Sequence, residues 1–172
     1  MDTQSTATPT TAQTTIRALR LTINGAAGEH HVPAHATLAT LLRDHAGLTG
    51  TKVACDQAAC GACTVLVDGE PVFACHTLAA QVQGSQVLTI EGLGGDDSLD
   101  PLQRAFIDHD ALQCGFCTPG MILALKAALA HAAAAGTTPG RAEIAQAISG
   151  NVCRCGAYAH ILDAALDVVD RG

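Results

Sequence analysis

The sequence predicts an α+β protein in two parts, a β-grasp-like N-terminal domain followed by a C-terminal bundle of four helices. Three observations support this prediction. The first half has short alternating apolar and polar stretches separated by turn signals, which is typical of strands. A segment rich in Gly and Asp at residues 92–98 ends this pattern, and only helical signals follow it. Aromatic residues make up 2% of the 172 residues, so the core must be aliphatic and rich in Ala.

Two hairpins, one helix and a final strand are predicted in the N-terminal half. The predicted strands are residues 17–24, 29–33, 64–67, 70–73 and 87–90. Residues 25–28 form the first predicted turn. Asp68-Gly69 supplies the positive φ values that a type I′ hairpin turn needs. The leucines of residues 37–45 recur at helical spacing, so this segment is the predicted helix.

Four helices are predicted beyond the Gly-rich segment. Asp100 is a good cap for the first, because Pro101 then occupies its first position. Thr118-Pro119 and Thr138-Pro139 repeat this start signal for the second and third helices, and residues 158–169 form the fourth. The predicted boundaries are therefore a disordered tail at residues 1–15, a first domain at 16–95 and a helical domain at 96–172.

Charge and hydropathy exclude several functions and indicate a compartment. The formal charge of −7 argues against binding to nucleic acid or to an anionic membrane. No window approaches the roughly 20 apolar residues of a membrane span, and residues 1–15 lack the features of a secretory signal. We therefore expect a cytoplasmic protein. Thiols are reduced there, which favours metal binding over disulfides for the eight cysteines.

The first four cysteines have the spacing C-x4-C-x2-C-x11-C, and they are Cys55, Cys60, Cys63 and Cys75. The first three have the spacing of plant-type ferredoxins, in which four thiolates hold a [2Fe–2S] cluster. The segment around them contains small residues, which let backbone N–H groups approach the cluster sulfurs. Zinc sites usually pair cysteines in two C-x2-4-C knuckles, which this spacing does not match. The first quartet therefore predicts a [2Fe–2S] site.

The second four cysteines have the spacing C-x2-C-x35-C-x-C, and they are Cys114, Cys117, Cys153 and Cys155. Each pair lies between two predicted helices. Antiparallel helices would bring both turns to one end of the bundle. The C-x2-C pair also occurs in zinc knuckles and redox sites, so the spacing favours iron–sulfur but leaves zinc open.

Three segments together resemble the small iron–sulfur subunit of the molybdenum hydroxylases, the xanthine dehydrogenase and aldehyde oxidoreductase family. They are GLTGTKVACDQAACGACTVLVDG, QCGFCTPGM and SGNVCRCGAY. The resemblance implies a plant-type ferredoxin-like domain and a helical [2Fe–2S]-binding domain, each with one cluster. It also implies a large partner subunit with a molybdopterin cofactor and a medium subunit with FAD.

The resemblance further implies a role for this chain. Electrons would pass from molybdenum through the helical-domain cluster and the ferredoxin-like cluster to flavin or another acceptor. Gln113 and Cys114 fall at positions that approach the pterin, and Cys114 would also bind iron. The hydroxylation itself would occur on the large subunit, so no catalytic residue is expected here.

Two details concern the loop and the substrate. Many members of this family carry Gly where Ala54 and Ala58 stand; at φ above zero, Ala costs roughly 1–2 kcal/mol. The DQAA segment is closer to aldehyde-oxidising members, so aldehyde oxidation is the predicted reaction. The alternatives are hydroxylation of an N-heterocycle, a purine or a CoA thioester, a free-standing two-cluster ferredoxin, and a non-redox zinc protein.

Overall fold

The computed structural model describes residues 14–95 and 98–171 of the chain. Five strands form one mixed sheet in the order β2-β1-β5-β3-β4. They are β1 (Ile16–Ile23), β2 (Ala26–Pro33), β3 (Thr64–Val67), β4 (Glu70–Phe73) and β5 (Gln86–Leu88). Strands β1 and β5 pair in parallel, and the other neighbouring strands pair antiparallel. Two sequential hairpins are therefore joined through the short central strand β5.

The two hairpin turns have the same geometry. Asp68 and Gly69 have φ values of 51° and 90°, so the predicted turn at this position is confirmed. Asn24 and Gly25 have φ values of 50° and 82°, and β2 already begins at Ala26. The predicted four-residue turn at 25–28 was wrong, because Asn-Gly makes a tight two-residue turn.

One short helix covers a face of the sheet. Helix α1 (Leu38–Thr40) begins at the cap Thr37, whose hydroxyl accepts a hydrogen bond from the Thr40 amide, and it continues as a π turn at Leu41–His45. The leucines of this segment are fully buried against the sheet, as the helical spacing predicted. Two 3-10 turns, Ala79–Val82 and Ile90–Gly92, flank β5; the latter begins where the final strand was predicted to end.

Four helices follow in the C-terminal half, namely α2 (Pro101–Asp108), α3 (Thr118–Ala134), α4 (Arg141–Ala147) and α5 (Tyr158–Arg171). Helix α2 begins as predicted, since the Asp100 carboxylate accepts from the Leu102 amide. Helix α4 begins two residues after Pro139, because Gly140 is its cap and donates to the Glu143 carboxylate. The Thr138-Pro139 start signal was therefore wrong. The helices share an apolar core in which α2 and α4 contact α5 and α3 contacts α2 and α4.

Strand β3 joins the two halves because both of its faces are buried. Val65 belongs to the core between the sheet and α1, and Leu66 belongs to the core shared with the C-terminal helices. Helix α3 packs directly on β3 and β4. Among the described residues, no helix is long and apolar enough to span a membrane. The tail predicted at residues 1–15 falls almost entirely outside the described residues, and the domain boundaries at 95 and 96 stay a prediction.

Candidate metal centres

The first cysteine quartet lies in the loop before β3 and just after the end of β4. Cys55 and Cys60 lie in the long loop between α1 and β3 and are half-buried, whereas Cys63 and Cys75 are buried. The β3–β4 hairpin returns the chain so that the Cys75 amide donates to the Cys63 sulfur at 3.5 Å. The β3–β4 hairpin therefore brings the fourth cysteine of the quartet next to the third.

Backbone amides of the loop point at the Cys55 sulfur. The amides of Gln57 and Ala59 donate to it at 3.5 and 3.3 Å. These hydrogen bonds, with a further one from the Cys60 thiol, lower the pKa of Cys55 to about 7. Burial instead raises the pKa of Cys63 to about 12. A bound metal would hold all four sulfurs as thiolates, so the loop amides favour the charged state that such a site needs.

The second quartet is assembled from two turns at one end of the C-terminal helices. Cys114 and Cys117 precede α3, and Cys153 and Cys155 lie between α4 and α5. The sulfurs of Cys114 and Cys155 are 3.4 Å apart, although the residues are 41 positions apart in sequence. The predicted meeting of these two turns is therefore present in the structure.

The second quartet has one exposed and one covered side. Cys114 is exposed and Cys153 is buried. The Phe116 amide lowers the pKa of Cys114, while burial raises the pKa of Cys117 to about 12. Gln113 is also exposed, and its side-chain amide donates to the Cys155 carbonyl at 3.3 Å. The structure thus places both residues expected near a partner's cofactor at the surface, next to the same quartet.

The sulfurs within each quartet are arranged as two pairs. In the first quartet the Cys60 thiol contributes to the lowered pKa of Cys55, and the Cys75 thiol contributes to the raised pKa of Cys63, so Cys55 lies next to Cys60 and Cys63 next to Cys75. In the second quartet Cys114 pairs with Cys155, and Cys117 with Cys153.

This pairing suits a binuclear cluster better than a single ion. A [2Fe–2S] cluster has two irons and four cysteine ligands, whereas zinc needs its ligands around one point. The donor set therefore fits two [2Fe–2S] clusters, and the eight cysteines remain their predicted ligands.

A direct contact joins the loops of the two quartets. The Val152 amide donates to the Cys60 carbonyl at 2.8 Å. Next to it, the Asn151 side chain donates to the Gly61 carbonyl at 2.9 Å. Asn151 was not among the predicted site residues. A short polar side chain beside a cysteine turn was its only local signal, and its partner is 90 positions away.

Two family models match consecutive parts of the chain. A model described as "2Fe-2S iron-sulfur cluster binding domain" matches residues 21–93. A model described as "[2Fe-2S] binding domain" matches residues 89–166. Each model covers one of the two cysteine quartets, so two distinct types of [2Fe–2S] domain are present in this chain.

Known proteins of similar sequence and structure are subunits of, or parts of, oxidoreductases. The aldehyde oxidoreductase iron-sulfur-binding subunit PaoA of Escherichia coli K12 is 46% identical over 88% of this chain and 71% of its own length. Caffeine dehydrogenase subunit gamma of Pseudomonas sp. CBB1 is 44% identical over 85% of this chain and 87% of its own.

A chain of the crystal structure of quinoline 2-oxidoreductase from Pseudomonas putida 86 superposes with a TM-score of 0.85. It is 43% identical and covers 90% of this chain and 94% of that chain. With matches of this extent to both halves, the chain belongs to the iron–sulfur subunits of the molybdenum hydroxylases, the xanthine dehydrogenase and aldehyde oxidoreductase family.

Proposed function

We propose that this chain is the electron-transfer subunit of a molybdenum-dependent dehydrogenase. The observation that carries the proposal is the hydrogen bond between Cys60 and Val152, because it places the two cysteine quartets side by side. Two one-electron centres in adjacent loops form a conducting path through the chain. The chain itself binds no substrate, and the reaction takes place on a partner.

The eight cysteines are the proposed ligands of two [2Fe–2S] clusters. The N-terminal cluster is held by Cys55, Cys60, Cys63 and Cys75, and the other by Cys114, Cys117, Cys153 and Cys155. The units that hold them are the proposed ferredoxin-like domain at residues 16–95 and the four-helix bundle at 96–172. Each cluster, when bound, accepts and releases one electron.

The quartet around Cys114 is the proposed entry point for electrons. Cys114 and Gln113 are exposed, and large apolar side chains are exposed around them, namely Leu112, Phe116, Val152 and Tyr158. Exposed apolar surface of this kind indicates a protein interface. The proposed partner is a large subunit with a molybdopterin cofactor, whose pterin would lie against Gln113 and Cys114. Electrons then leave through the N-terminal cluster to a medium subunit with FAD or to another acceptor in the cytoplasm.

Aldehyde oxidation is the proposed reaction of the complex. The similarity to the Escherichia coli aldehyde oxidoreductase subunit supports it. The nicotine 6-hydroxylase small subunit of Paenarthrobacter nicotinovorans is also 46% identical, so hydroxylation of an N-heterocycle is the second candidate. Equal identity to both groups is expected of a chain that conducts electrons but does not contact the substrate.

The experiment is anaerobic affinity purification of this chain from its host, followed by metal analysis and identification of the co-purifying subunits. Two [2Fe–2S] clusters give about four irons per molybdenum, together with a large subunit and a flavin-bearing one. Iron without molybdenum or partners would instead indicate a free-standing two-cluster ferredoxin. Zinc in place of iron would contradict the proposal.

A further inference from the structure

We propose that Asn151 is a positioning residue that fixes the separation of the two cluster sites and thereby the rate of electron transfer between them. This inference rests on the proposed electron-transfer function. Asn151 belongs to the C-terminal half, where it lies two positions before the cluster ligand Cys153. Its side chain reaches into the loop of the other quartet.

The Asn151 amide group has two partners there. It donates to the Gly61 carbonyl at 2.9 Å and to the Thr64 hydroxyl at 3.1 Å. The Thr64 hydroxyl in turn donates to the same Gly61 carbonyl at 2.7 Å. Gly61 follows the ligand Cys60, and Thr64 follows the ligand Cys63. One side chain from the C-terminal half thus holds the backbone between two ligands of the N-terminal quartet.

Burial makes these hydrogen bonds costly to break. Asn151 is 5% exposed and Thr64 is 2% exposed. A buried amide group without partners loses its hydration and gains nothing in exchange. The two halves can therefore separate or slide only by breaking both bonds, so the contact has one well-defined geometry.

The surrounding backbone leaves no room for another arrangement. A Cβ atom on Gly61 would lie 2.5 Å from the Gly150 carbonyl and 2.7 Å from the Asn151 side-chain nitrogen. On the other side, the Tyr158 hydroxyl accepts from the Cys153 amide at 2.7 Å and donates to the Asn151 carbonyl at 3.3 Å. The turn that carries Asn151 is therefore fixed to the second quartet as firmly as its side chain is fixed to the first.

The position of Asn151 matters for the electron step. When bound, the C-terminal cluster would give up one electron and the N-terminal cluster would take it up, so that the first is oxidised and the second is reduced; no covalent bond forms or breaks. The Cys60 carbonyl and the Val152 amide, 2.8 Å apart, link the two ligand loops directly. Asn151 lies beside this hydrogen bond, and its own bonds to Gly61 and Thr64 keep the two loops in contact.

The test uses the full chain in its complex, with both clusters loaded. Asn151→Ala removes both hydrogen bonds, and Thr64→Val removes the acceptor for one of them while it keeps the shape of the side chain. The readout is the magnetic interaction between the two reduced clusters, observed as splitting of their low-temperature EPR signals. A second readout is the rate of electron transfer between the clusters, followed optically after rapid reduction of one of them.

The matched control is Asn24→Gly. Asn24 also makes two side-chain hydrogen bonds, both to Thr89 at 2.9 Å, but they lie within the N-terminal half. Its φ of 50° suits Gly, so the control loses the hydrogen bonds without backbone strain. Thr64→Ser is the conservative variant, because it keeps the hydroxyl group that accepts from Asn151.

We expect the splitting to weaken and the transfer rate to fall severalfold in Asn151→Ala, because electron transfer slows steeply as the distance between the two clusters grows. Thr64→Val should show the same change to a smaller extent, while Asn24→Gly and Thr64→Ser keep both wild-type values. Unchanged splitting and rate in Asn151→Ala with full iron content would overturn the inference. If that variant does not load its clusters, the contrast between Thr64→Val and Thr64→Ser decides. The absence of a molybdenum partner would contradict the proposed function but would leave the splitting measurable in this chain.

Discussion

Ala58 adopts a backbone conformation that L-residues other than Asn and Asp rarely adopt. Its φ is 57°, in the left-handed region, and it lies between the two amides that donate to the Cys55 sulfur. Of the two alanines Ala54 and Ala58 in this loop, Ala58 has this conformation and Ala54 does not. The loop accepts the strain at Ala58 because the turn aims the Gln57 and Ala59 amides at one sulfur.

Ala58→Gly should therefore stabilise the protein. The left-handed conformation costs Ala roughly 1–2 kcal/mol, which the substitution removes. Gly also makes the unfolded chain more flexible, which destabilises the folded state by about 0.5–1 kcal/mol and offsets part of this gain. The expected net gain in the free energy of unfolding is about 0.5–1 kcal/mol. Thermal and denaturant unfolding of the cluster-loaded chain would measure this gain.

Ala59→Gly is the control for that substitution. Ala59 is the next residue in the same loop and does not have a positive φ, so Gly only adds freedom to the unfolded chain. This variant should lose about 0.5–1 kcal/mol. Equal effects of the two substitutions would show that the φ of Ala58 carries no strain.

At the scale of elements, close packing of α3 on β3 depends on Gly120. A Cβ atom at this position would lie 2.5 Å from the Gly61 carbonyl and 3.2 Å from the Ala62 carbonyl. Both carbonyls belong to the backbone of the first quartet's loop and have little freedom to move. Gly120 therefore lets the helix that follows the second quartet approach the loop of the first.

Gly120→Ala should destabilise the protein although it improves helix propensity. In an exposed helix this change would gain about 1 kcal/mol, but here overpacking should cost more, with a net loss of about 1–3 kcal/mol. Gly150→Ala is the matched control in the same junction, since its Cβ would lie 3.4 Å from the Phe73 ring, an ordinary contact. That control should stay within about 0.5 kcal/mol of wild type. Denaturant unfolding of both variants gives the sign, and a gain for Gly120→Ala would exclude the close approach.

The turn between β3 and β4 makes the sheet sensitive to acid. The Asp68 carboxylate accepts from the Gln86 amide at 2.8 Å, and this hydrogen bond lowers the pKa of Asp68. A lowered folded-state pKa means that the stabilisation is present above the ordinary pKa of the carboxyl group. It is lost as the pH falls through the lowered value.

Asp68→Asn tests this dependence, because Asn keeps an acceptor oxygen and tolerates the φ of 51°. Wild type should unfold at a higher temperature than the variant at neutral pH, and the gap should close as the pH falls below 4 or so. Acid loss of the clusters affects both proteins alike, so the difference in unfolding temperature is the quantity to compare. A gap that stays constant with pH would contradict a role for the ionised carboxylate.

Across the whole molecule, features that depend on neighbouring residues could be predicted from the sequence, whereas contacts between the two halves could not. Asp100-Pro101 starts a helix because its cap acts within three residues. The cysteine spacing predicted a [2Fe–2S] site for the first quartet, whereas for the second it favoured iron–sulfur and left zinc open. The start of α4 predicted at Thr138-Pro139 was wrong because Gly140, which is stabilised by Glu143, is the cap instead. The bond from Asn151 to Gly61 crosses 90 positions of sequence. No local pattern encodes such a contact, because it depends on how α3 packs on β3.

The separation of the two cores leads to a prediction for the cluster sites. Cys63 and Cys75 lie in the core between the sheet and α1, while Cys117, Cys153 and Cys155 contact the core of the C-terminal helices. Loss of one cluster should therefore leave the other core folded. Cys114→Ser removes an exposed cysteine that is a proposed ligand of the second cluster, so this variant should keep the N-terminal cluster and its spectrum.

For Cys114→Ser we expect iron to fall from about four to about two per chain and turnover of the complex to drop sharply. Substrate should still bind the partner subunit, because this chain does not hold it. Cys55→Ser is the matched variant of the first quartet; it should lose the other cluster and still allow the C-terminal cluster to be reduced by substrate. Iron analysis, EPR spectra and single-turnover reduction by substrate separate the two cases. Full turnover of Cys114→Ser without its C-terminal cluster would exclude the proposed order, since electrons would then bypass the site that faces the partner.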